Sequence, residues 1–363
     1  MNNTNKITIG ITAALAGIAG FGLAFLWIKS TTTKDPSTTS PSLKQPNASL
    51  DSTYRCQLAT PDPTTTQGWL HLCTTRMKKC IPPRQSMFRV YAILTWKNDA
   101  SNMTGWVSGT NSESAYIGGS LCAERAAAVQ LRELPPTCRV TAVYLCSDLL
   151  ETPITPGVLC REYLLSCVAS DVPIWLTTAN NSVTRQTSLL ELYPYPSLFE
   201  GIARNNIIAR GKACCQRITS MDCNIKKFNN QWSTLITKAS EASLFDVLGG
   251  SMHPVKYGSA MEFEDGEIVC GWQKAGLEYG TTIDAVTSLL HRMDEKSPIR
   301  PIRLVVVDQF GNLHAPVAPA RAQLYERDNG GLKVAVDNTD TGQRCEVDLA
   351  SLVPDCPKMS EIW

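Results

Sequence analysis

The same succession of strands and helix starts occurs twice along this chain of 363 residues. Each copy has a strand rich in β-branched or aromatic residues, then a second apolar strand, then a helix start of the form Pro-x-x-x-x-Arg. In the two copies these segments are residues 87–96 and 255–261, 139–146 and 303–308, and 156–161 and 316–321. Alternating strands and helices predict an α/β fold, and the repetition predicts two copies of one unit.

The first 29 residues predict a membrane anchor. No residue from Ile7 to Ile28 is charged, and a helix of this length just crosses a hydrocarbon layer of ~30 Å. A cleaved signal peptide is the alternative, although its apolar region should be about 7–15 residues long and follow a basic start. Because Lys29 and Lys34 follow the segment and only Lys6 precedes it, the charge bias favours a cytosolic body.

Composition sets further limits on partners. Residues 30–53 are almost all Ser, Thr, Pro, Lys and Asp, which predicts a flexible tether without a packed core. The remaining sequence is that of a globular protein, because 43% of the chain is apolar and 18% is charged. A net charge of +1 provides no overall field for a polyanion, so we expect no nucleic-acid partner.

Two predicted helix starts in the first copy carry residues suited to metal chemistry. Cys122 opens one helix and Cys160 opens the next, and thiolates are favoured at the positive end of a helix dipole. Two such thiolates can bind one zinc ion, which activates a water molecule. Glu124 lies two residues after Cys122, where a carboxylate can carry protons from that water to a substrate nitrogen.

The first copy resembles the cytidine deaminases of the nucleoside-salvage type over about residues 70–200. Four of the family's motifs occur in order: F-x-V-G-A-A in the first strand, N-x-E-N-A before the helix, C-A-E-R at its start and P-C-x-x-C-R at the next helix. The matching residues are Phe88 with Val90-Tyr91-Ala92, Asn111-Ser112-Glu113-Ser114-Ala115, Cys122-Ala123-Glu124-Arg125, and Pro156 with Cys160-Arg161. The segment from Thr187 to Pro194 is similar to the T-L-x-E-L-L-P that closes the family's domain.

The resemblance implies a role for each matching residue. Cys122 and Cys160 would ligate zinc, and Glu124 would move protons during hydrolysis of cytidine or deoxycytidine to uridine or deoxyuridine. Asn111 and Glu113 would hold the ribose 3′-hydroxyl. Phe88 would pack on the base, and Arg125 would donate to the metal thiolates. The implied fold is a pair of three-layer α/β/α domains with mixed central sheets.

One position departs from the family pattern. The first cysteine of P-C-x-x-C falls on Gly157, whereas a catalytic zinc site normally has three protein ligands. Cys146 or Cys167 could supply the missing ligand from a shifted position. Alternatively, an extra water completes a weak site, or the copy has lost its metal and only binds nucleoside. Retention of the other motif residues favours a working pocket.

The second copy lacks the metal-binding residues. Asp284 stands where the first copy has Cys122, Val286 replaces the glutamate, and Val317 and Ala320 replace the thiols of the second helix start. Asp284 could in principle ligate a metal, but with Val and Ala opposite it is expected to be a helix cap or an acid of the first helical turn. His314 has no other metal ligand near it in the sequence, and it is predicted to be a structural or surface residue.

These observations predict five segments and a dimer. The segments are an anchor (1–29), a linker (30–53), a deaminase-like catalytic domain (54–200), a connector (201–234) and a metal-less deaminase-like domain (235–363). A copy that retains the catalytic motif residues, followed by a degenerate copy, is similar to the dimeric class of cytidine deaminases. This resemblance implies a homodimer.

Three functions remain open from the sequence. The first is zinc-dependent deamination of cytidine or deoxycytidine in pyrimidine salvage. The second, motivated by Gly157, is a non-catalytic nucleoside binder or scaffold. The third is editing of RNA or DNA, which the neutral charge and the Asn111 and Glu113 pair disfavour.

Overall fold

A computed structural model describes residues 63–115, 117–221, 225–247, 253–276 and 281–357, and these described residues belong to one compact unit. The predicted anchor and linker lie outside the described residues. Among the helices of those five ranges, none combines the length and apolar character needed to cross a membrane. The cytosolic orientation and the membrane anchor therefore stay predictions.

The first half folds around a five-stranded mixed sheet in the order β2-β1-β3-β4-β5. Only the β3–β4 pair is parallel. The elements are α1 (Thr66–Lys79), β1 (Val90–Asn98), β2 (Thr104–Thr110), α2 (Ala123–Val129), β3 (Cys138–Ser147), α3 (Val158–Leu165), β4 (Ile174–Thr177), β5 (Thr184–Thr187) and α4 (Leu189–Leu192).

Helices cover both faces of this sheet, as the predicted three-layer arrangement requires. Alternate residues of a strand point to opposite faces, so Ala92 and Leu94 pack with α2 and α3, whereas Tyr91 and Ile93 pack with α1. The apolar sides of α1 and α2 are thus buried on opposite sides of β1, which makes β1 the centre of the core.

The second half repeats this architecture. Its sheet has the order β7-β6-β8-β9-β10, again with one parallel pair, β8–β9. The elements are α5 (Ile207–Met221), α6 (Ile225–Ser243), β6 (Tyr257–Phe263), β7 (Ile268–Trp272), α7 (Leu290–Lys296), β8 (Pro301–Asp308), α8 (Ala318–Glu326), β9 (Lys333–Asn338) and β10 (Gln343–Asp348). The α/β class with two mixed sheets is therefore confirmed.

The predicted connector contains part of the second half's core. Helix α6 begins at Ile225 and packs against β6 and β8, so the boundary predicted at residue 235 falls inside a helix. The packing is so close that a Cβ atom on Gly258 would lie 1.9 Å from the Ala239 carbonyl oxygen. The helix therefore belongs with the second sheet.

The register of the strands shows that the two halves share one frame. Val90 pairs with Ser147 across β1 and β3, and Tyr257 pairs with Asp308 across β6 and β8. An isolated bridge precedes each predicted helix start, Ser112 with Leu121 in the first half and Lys274 with Ile283 in the second. Cys122 and Asp284, the residues that follow these bridges, are structurally equivalent.

Two buried arginines join the halves in a reciprocal way. The guanidinium of Arg161 donates to Leu192 O in its own half (2.6 Å) and to Pro354 O in the other half (2.7 Å). Arg321 likewise donates to Leu352 O in its own half (3.1 Å) and to Pro194 O in the other (2.8 Å). Helices α3 and α8 pack between them, which gives the single chain a pseudo-twofold interface.

Candidate active site

The starts of α2 and α3 bring three potential metal ligands together. Cys122 is the N-cap residue of α2, Glu124 lies in its first turn, and Cys160 lies in the first turn of α3. The two Sγ atoms and a carboxylate oxygen of Glu124 lie within 4.8 Å of one another. In the part of the chain that the structure describes, this is the one group of three or more side chains able to hold a metal ion.

The two thiols differ in their readiness to ionise. Hydrogen bonding from the Cys160 thiol lowers the pKa of Cys122 to about 6, against the opposing effect of burial, and Arg125 lowers it further. The same hydrogen bond, together with burial, raises the pKa of Cys160. In the metal-free protein the Cys122 thiolate therefore accepts a hydrogen bond from the Cys160 thiol, which keeps its proton.

Glu124 is buried where a carboxylate is costly to ionise. It is 4% exposed, and burial, with a contribution from the negative charge of Cys122, raises its pKa to about 7. A carboxyl group whose pKa is near neutrality both accepts and releases a proton readily, which is the property that acid–base catalysis requires.

This burial predicts a pH-dependent stability for the metal-free protein. The folded pKa of Glu124 lies above the unfolded value of 4.5, so the stabilising contribution is complete below pH 4.5 and is lost as the pH rises to about 7. We expect Glu124→Gln to remove this dependence and to raise the unfolding free energy at pH 8 by about 3 kcal/mol. Urea unfolding of chelator-treated protein at pH 4.5 and 8 measures the difference. A variant as pH-dependent as the wild type would contradict the assignment.

Arg125 supports the thiol pair from the first turn of α2. Its Nη2 donates to Ser120 O (3.2 Å) and lies 3.5 Å from the Cys122 sulfur. A fixed guanidinium beside two sulfurs stabilises their ionised forms and partly neutralises their charge. The position predicted for Arg125 agrees with this contact.

Asn111 and Glu113 hold the segment that carries Phe88. The Asn111 side chain accepts from Val90 N and donates to Phe88 O, both at 2.8 Å. Glu113 accepts from Ser86 N at 2.8 Å and from the Ser86 hydroxyl. Each of these oxygens keeps a second lone pair, and the amide keeps a second hydrogen, so a substrate hydroxyl remains within their capacity. Their predicted contact with ribose stays a prediction.

These residues lie at the same end of the sheet as the thiols. Two hydrogen bonds of 2.9 Å join Ser112 to Leu121, which places the Asn111–Glu113 segment beside the residue that precedes Cys122. Phe88 is half-buried at the entry to β1. The contact of Ser86 with Glu113 was missed by the sequence reasoning, since a serine 27 residues from its partner gives no local signal.

The structure places neither proposed third cysteine with the pair. Cys146 packs on the opposite face of the sheet, beside Cys73 and α1. The Cys167 sulfur donates to Leu164 O at 3.4 Å in the last turn of α3. A third protein ligand near Cys122 and Cys160 is available from Glu124 alone among the described residues.

Gly157 is the N-cap residue of α3, with an ordinary extended backbone (φ −62°, ψ 158°). A Cβ added there would meet no heavy atom within 4 Å. Residues 157 and 160 are three apart, so a side chain at 157 would share the helix face of Cys160. Steric crowding therefore does not explain the glycine, and a cysteine would fit.

At the described positions equivalent to Cys122, Glu124 and Cys160, the second half has one carboxylate, that of Asp284, and no thiol. Asp284 Oδ1 accepts from Val286 N (2.9 Å) and Thr287 N (3.0 Å), so its carboxylate holds the turn that leads into a short 3₁₀ helix (Thr287–Leu289). Val286 and Ala320 are buried in the apolar core of this half. His314, which the sequence assigned to structure, is buried and paired with Asp308.

Several solved structures are similar to part of this chain. Cytidine deaminase from Mycobacterium leprae is 24% identical and aligns 34% of this chain with 97% of its own, at a TM-score of 0.30. The enzyme from Burkholderia pseudomallei is 24% identical, with 37% and 99% covered and a TM-score of 0.31. That from Mycobacterium tuberculosis is 22% identical, with 34% and 95% covered and a TM-score of 0.30. No protein-family model matches the chain. Similarity at these TM-scores assigns neither substrate nor activity.

Proposed function

We propose that the first half is a zinc-dependent hydrolase that deaminates cytidine or deoxycytidine. The observation that carries the proposal is the group of Cys122, Glu124 and Cys160 at two helix starts, with the Glu124 pKa raised to about 7. The family resemblance of the surrounding motifs supports the choice of a pyrimidine nucleoside as the substrate.

The residues present fit a zinc ion. Two thiols are donors that zinc takes in proteins, one fewer than the three protein ligands of most catalytic sites, so an extra water would complete the coordination while Glu124 stays free for proton transfer. Cys122 and Cys160 would hold the ion, with Arg125 donating to the Cys122 sulfur. When bound, zinc supplies a Lewis acid that makes water a stronger nucleophile at neutral pH.

The protein's own groups perform the remaining tasks. The Glu124 carboxylate would take one proton from the attacking water and pass it to the pyrimidine ring nitrogen, and it would then carry the remaining proton of the added hydroxyl to the departing ammonia. Asn111 and Glu113 would use their free hydrogen-bonding positions to orient the sugar. Burial of Glu124 keeps bulk water from competing for the proton.

The decisive experiment follows the ultraviolet change of cytidine with purified protein and added zinc. Wild-type protein is expected to convert cytidine, whereas Cys160→Ser should abolish conversion because one of the two proposed sulfur ligands is lost. Cys167→Ser is the matched control, since its sulfur bonds only within the last turn of α3, and we expect it to keep full activity. Wild-type protein without activity toward cytidine and deoxycytidine would remove the proposal.

A second candidate function is favoured by Gly157. With no side chain there, zinc obtains a third protein ligand only from Glu124, and a Glu124 bound to zinc no longer exchanges protons freely. The chain would then bind nucleoside without turning it over. Zinc content separates the two candidates when combined with activity: bound zinc with no conversion of cytidine supports the binder.

Gly157→Cys tests the same question from the other side. We expect it to raise zinc affinity by more than the ~10-fold that outer-shell partners contribute, because it adds a thiolate on the Cys160 face of α3. Competition with a chromophoric chelator measures the affinity. Gly331→Cys is the control, since a Cβ there also meets nothing within 4 Å. Equal affinities for both variants would show that residue 157 does not face the metal.

A further inference from the structure

A cavity of about 850 Å³ lies in the second half, at the place equivalent to the proposed active site of the first. Asp284 and Val286, the equivalents of Cys122 and Glu124, line it together with Val317, which precedes α8. The volume is within the range of small-molecule sites. The residues that stand in place of Cys122 and Glu124 therefore leave this pocket open.

A buried histidine faces the cavity. His314 is 7% exposed and lies near the rings of Phe199 and Tyr257, with centroid distances of 5.8 and 5.2 Å. Its Nε2 is 3.0 Å from Asp308 Oδ2. Asp308 also accepts from Asn312 Nδ2 (2.9 Å), so this carboxylate is fixed and holds the histidine ring in one orientation.

The other ring nitrogen is available to a ligand. Pairing with Asp308 assigns the proton to Nε2, which leaves Nδ1 as an acceptor in the neutral ring. Nδ1 makes no hydrogen bond to any residue that the structure describes, and the ring lines the cavity. In the first half the equivalent position, two residues before the proline of the helix start, is Ile154, which packs against the core. The second half thus presents a polar group where the first has an apolar one.

The first half completes the walls. Glu162 and Glu200 line the cavity, and with Asp284 they bring three carboxylates to it. Of the two lining arginines, Arg321 is committed to backbone carbonyls, which leaves Arg132 as the cation free to meet a ligand. Such a surface accepts hydrogen bonds and repels anions, so it suits an uncharged ligand with several hydroxyl or amino donors.

We propose that the second half binds an uncharged nucleoside in this cavity and does not convert it. The sugar hydroxyls and ring N–H groups of a nucleoside supply donors for His314 and the carboxylates, and Tyr257 and His314 offer aromatic surface to the base. Val286 and Ala320 occupy the positions of the shuttle and the second thiol, so the site has no means of hydrolysis. The choice of a nucleoside among uncharged heterocycles rests on the proposed function of the first half.

The test is equilibrium dialysis of radiolabelled uridine against the full-length protein with a chelator present. Uridine is expected to bind at one metal-independent site per chain, whose affinity falls about tenfold or more in His314→Ile, the residue type of the first half, and in Glu200→Gln. Uridine monophosphate should bind at least about tenfold more weakly than uridine, because the lining carries excess negative charge. Glu133→Gln, an exposed acid outside the cavity, should bind like the wild type.

Each outcome bears on the proposal. Absence of uridine binding, or binding unchanged in both His314→Ile and Glu200→Gln, would overturn it. If His314→Ile fails to fold, the affinity of Glu200→Gln for uridine decides, because Glu200 is only half-buried. Tighter binding of the monophosphate than of uridine would also overturn it. Failure of the proposed deaminase function shows separately as absent cytidine conversion, while metal-independent uridine binding persists.

Discussion

Glu124→Gln is expected to lower the rate of cytidine deamination by about 10²–10⁴-fold, the usual contribution of a positioned acid–base group. The amide keeps the shape and the burial of the side chain but neither accepts nor releases a proton near pH 7. Steady-state kinetics at saturating cytidine, with zinc content measured on the same samples, give the effect. Because Glu124 also lies within 4.8 Å of both sulfurs, the zinc content shows whether it acts as a ligand as well.

Glu133→Gln is the control for this variant, since Glu133 is exposed and lies in the turn that follows the same helix. We expect its rate and zinc content to equal those of the wild type. If Glu124→Gln retained full activity with zinc bound, the proton-shuttle role would be wrong. If instead it lost its zinc, the carboxylate would be a metal ligand, in agreement with the nucleoside-binder candidate.

Arg161→Met is expected to lower the unfolding free energy by about 3–5 kcal/mol. Arg161 is fully buried and donates to the carbonyl oxygens of Pro156, Leu192 and Pro354, at 2.6–2.7 Å. Methionine fills the space of the aliphatic stem but leaves these buried acceptors without donors. Urea unfolding at neutral pH measures the loss, and Arg321→Met, its equivalent in the second half, should show a similar one.

Arg292→Met is the matched control. Its ion pair with Glu295 is exposed on α7, and such pairs contribute only about 0.3–0.5 kcal/mol. A loss below about 1 kcal/mol for both Arg161→Met and Arg321→Met would show that water replaces the guanidinium groups and that they do not hold the interface. The double variant should lose less than the two single losses together, because both arginines serve the same contact.

The helix starts of the first half were predictable because local chemistry determines them. A strand pattern, a motif and helix-forming alanines placed Cys122 and Cys160 at N-termini, and the structure has them at an N-cap and in a first turn. The repeat was predictable for the same reason, since strand order and spacing are visible along the chain. The backbone hydrogen bonds that Asp284 accepts just after the bridge also agree with its residue type and position.

The third zinc ligand could not be predicted, because it depends on which face of the sheet each residue takes. Cys146 ends a strand close to the site in sequence, but the alternation of side chains directs it to the side of α1. The hydrogen bonds of Asn111 and Glu113 to residues 86–90 were equally inaccessible, since they depend on how a loop meets the start of β1.

The second half was predicted as a packing partner without chemistry, and this stays a prediction. Sequence spacing did not reveal that His314 meets Asp308 across the turn after β8, or that residues of the first half help to line the cavity beside Asp284. The cavity wall joins residues that only the assembled pair of sheets brings together.

The reciprocal arginines also constrain the order of events during synthesis. Arg161 leaves the ribosome 193 residues before Pro354, whose carbonyl it needs, and Thr155 similarly awaits the carbonyl of Asp355. The proposed catalytic half therefore acquires its last buried partners only when the final turn of the second half has emerged. Until then α3, which carries Cys160, lacks its contacts with the end of the second half. A nascent chain halted before residue 354 would therefore hold Cys160 on an incompletely packed helix.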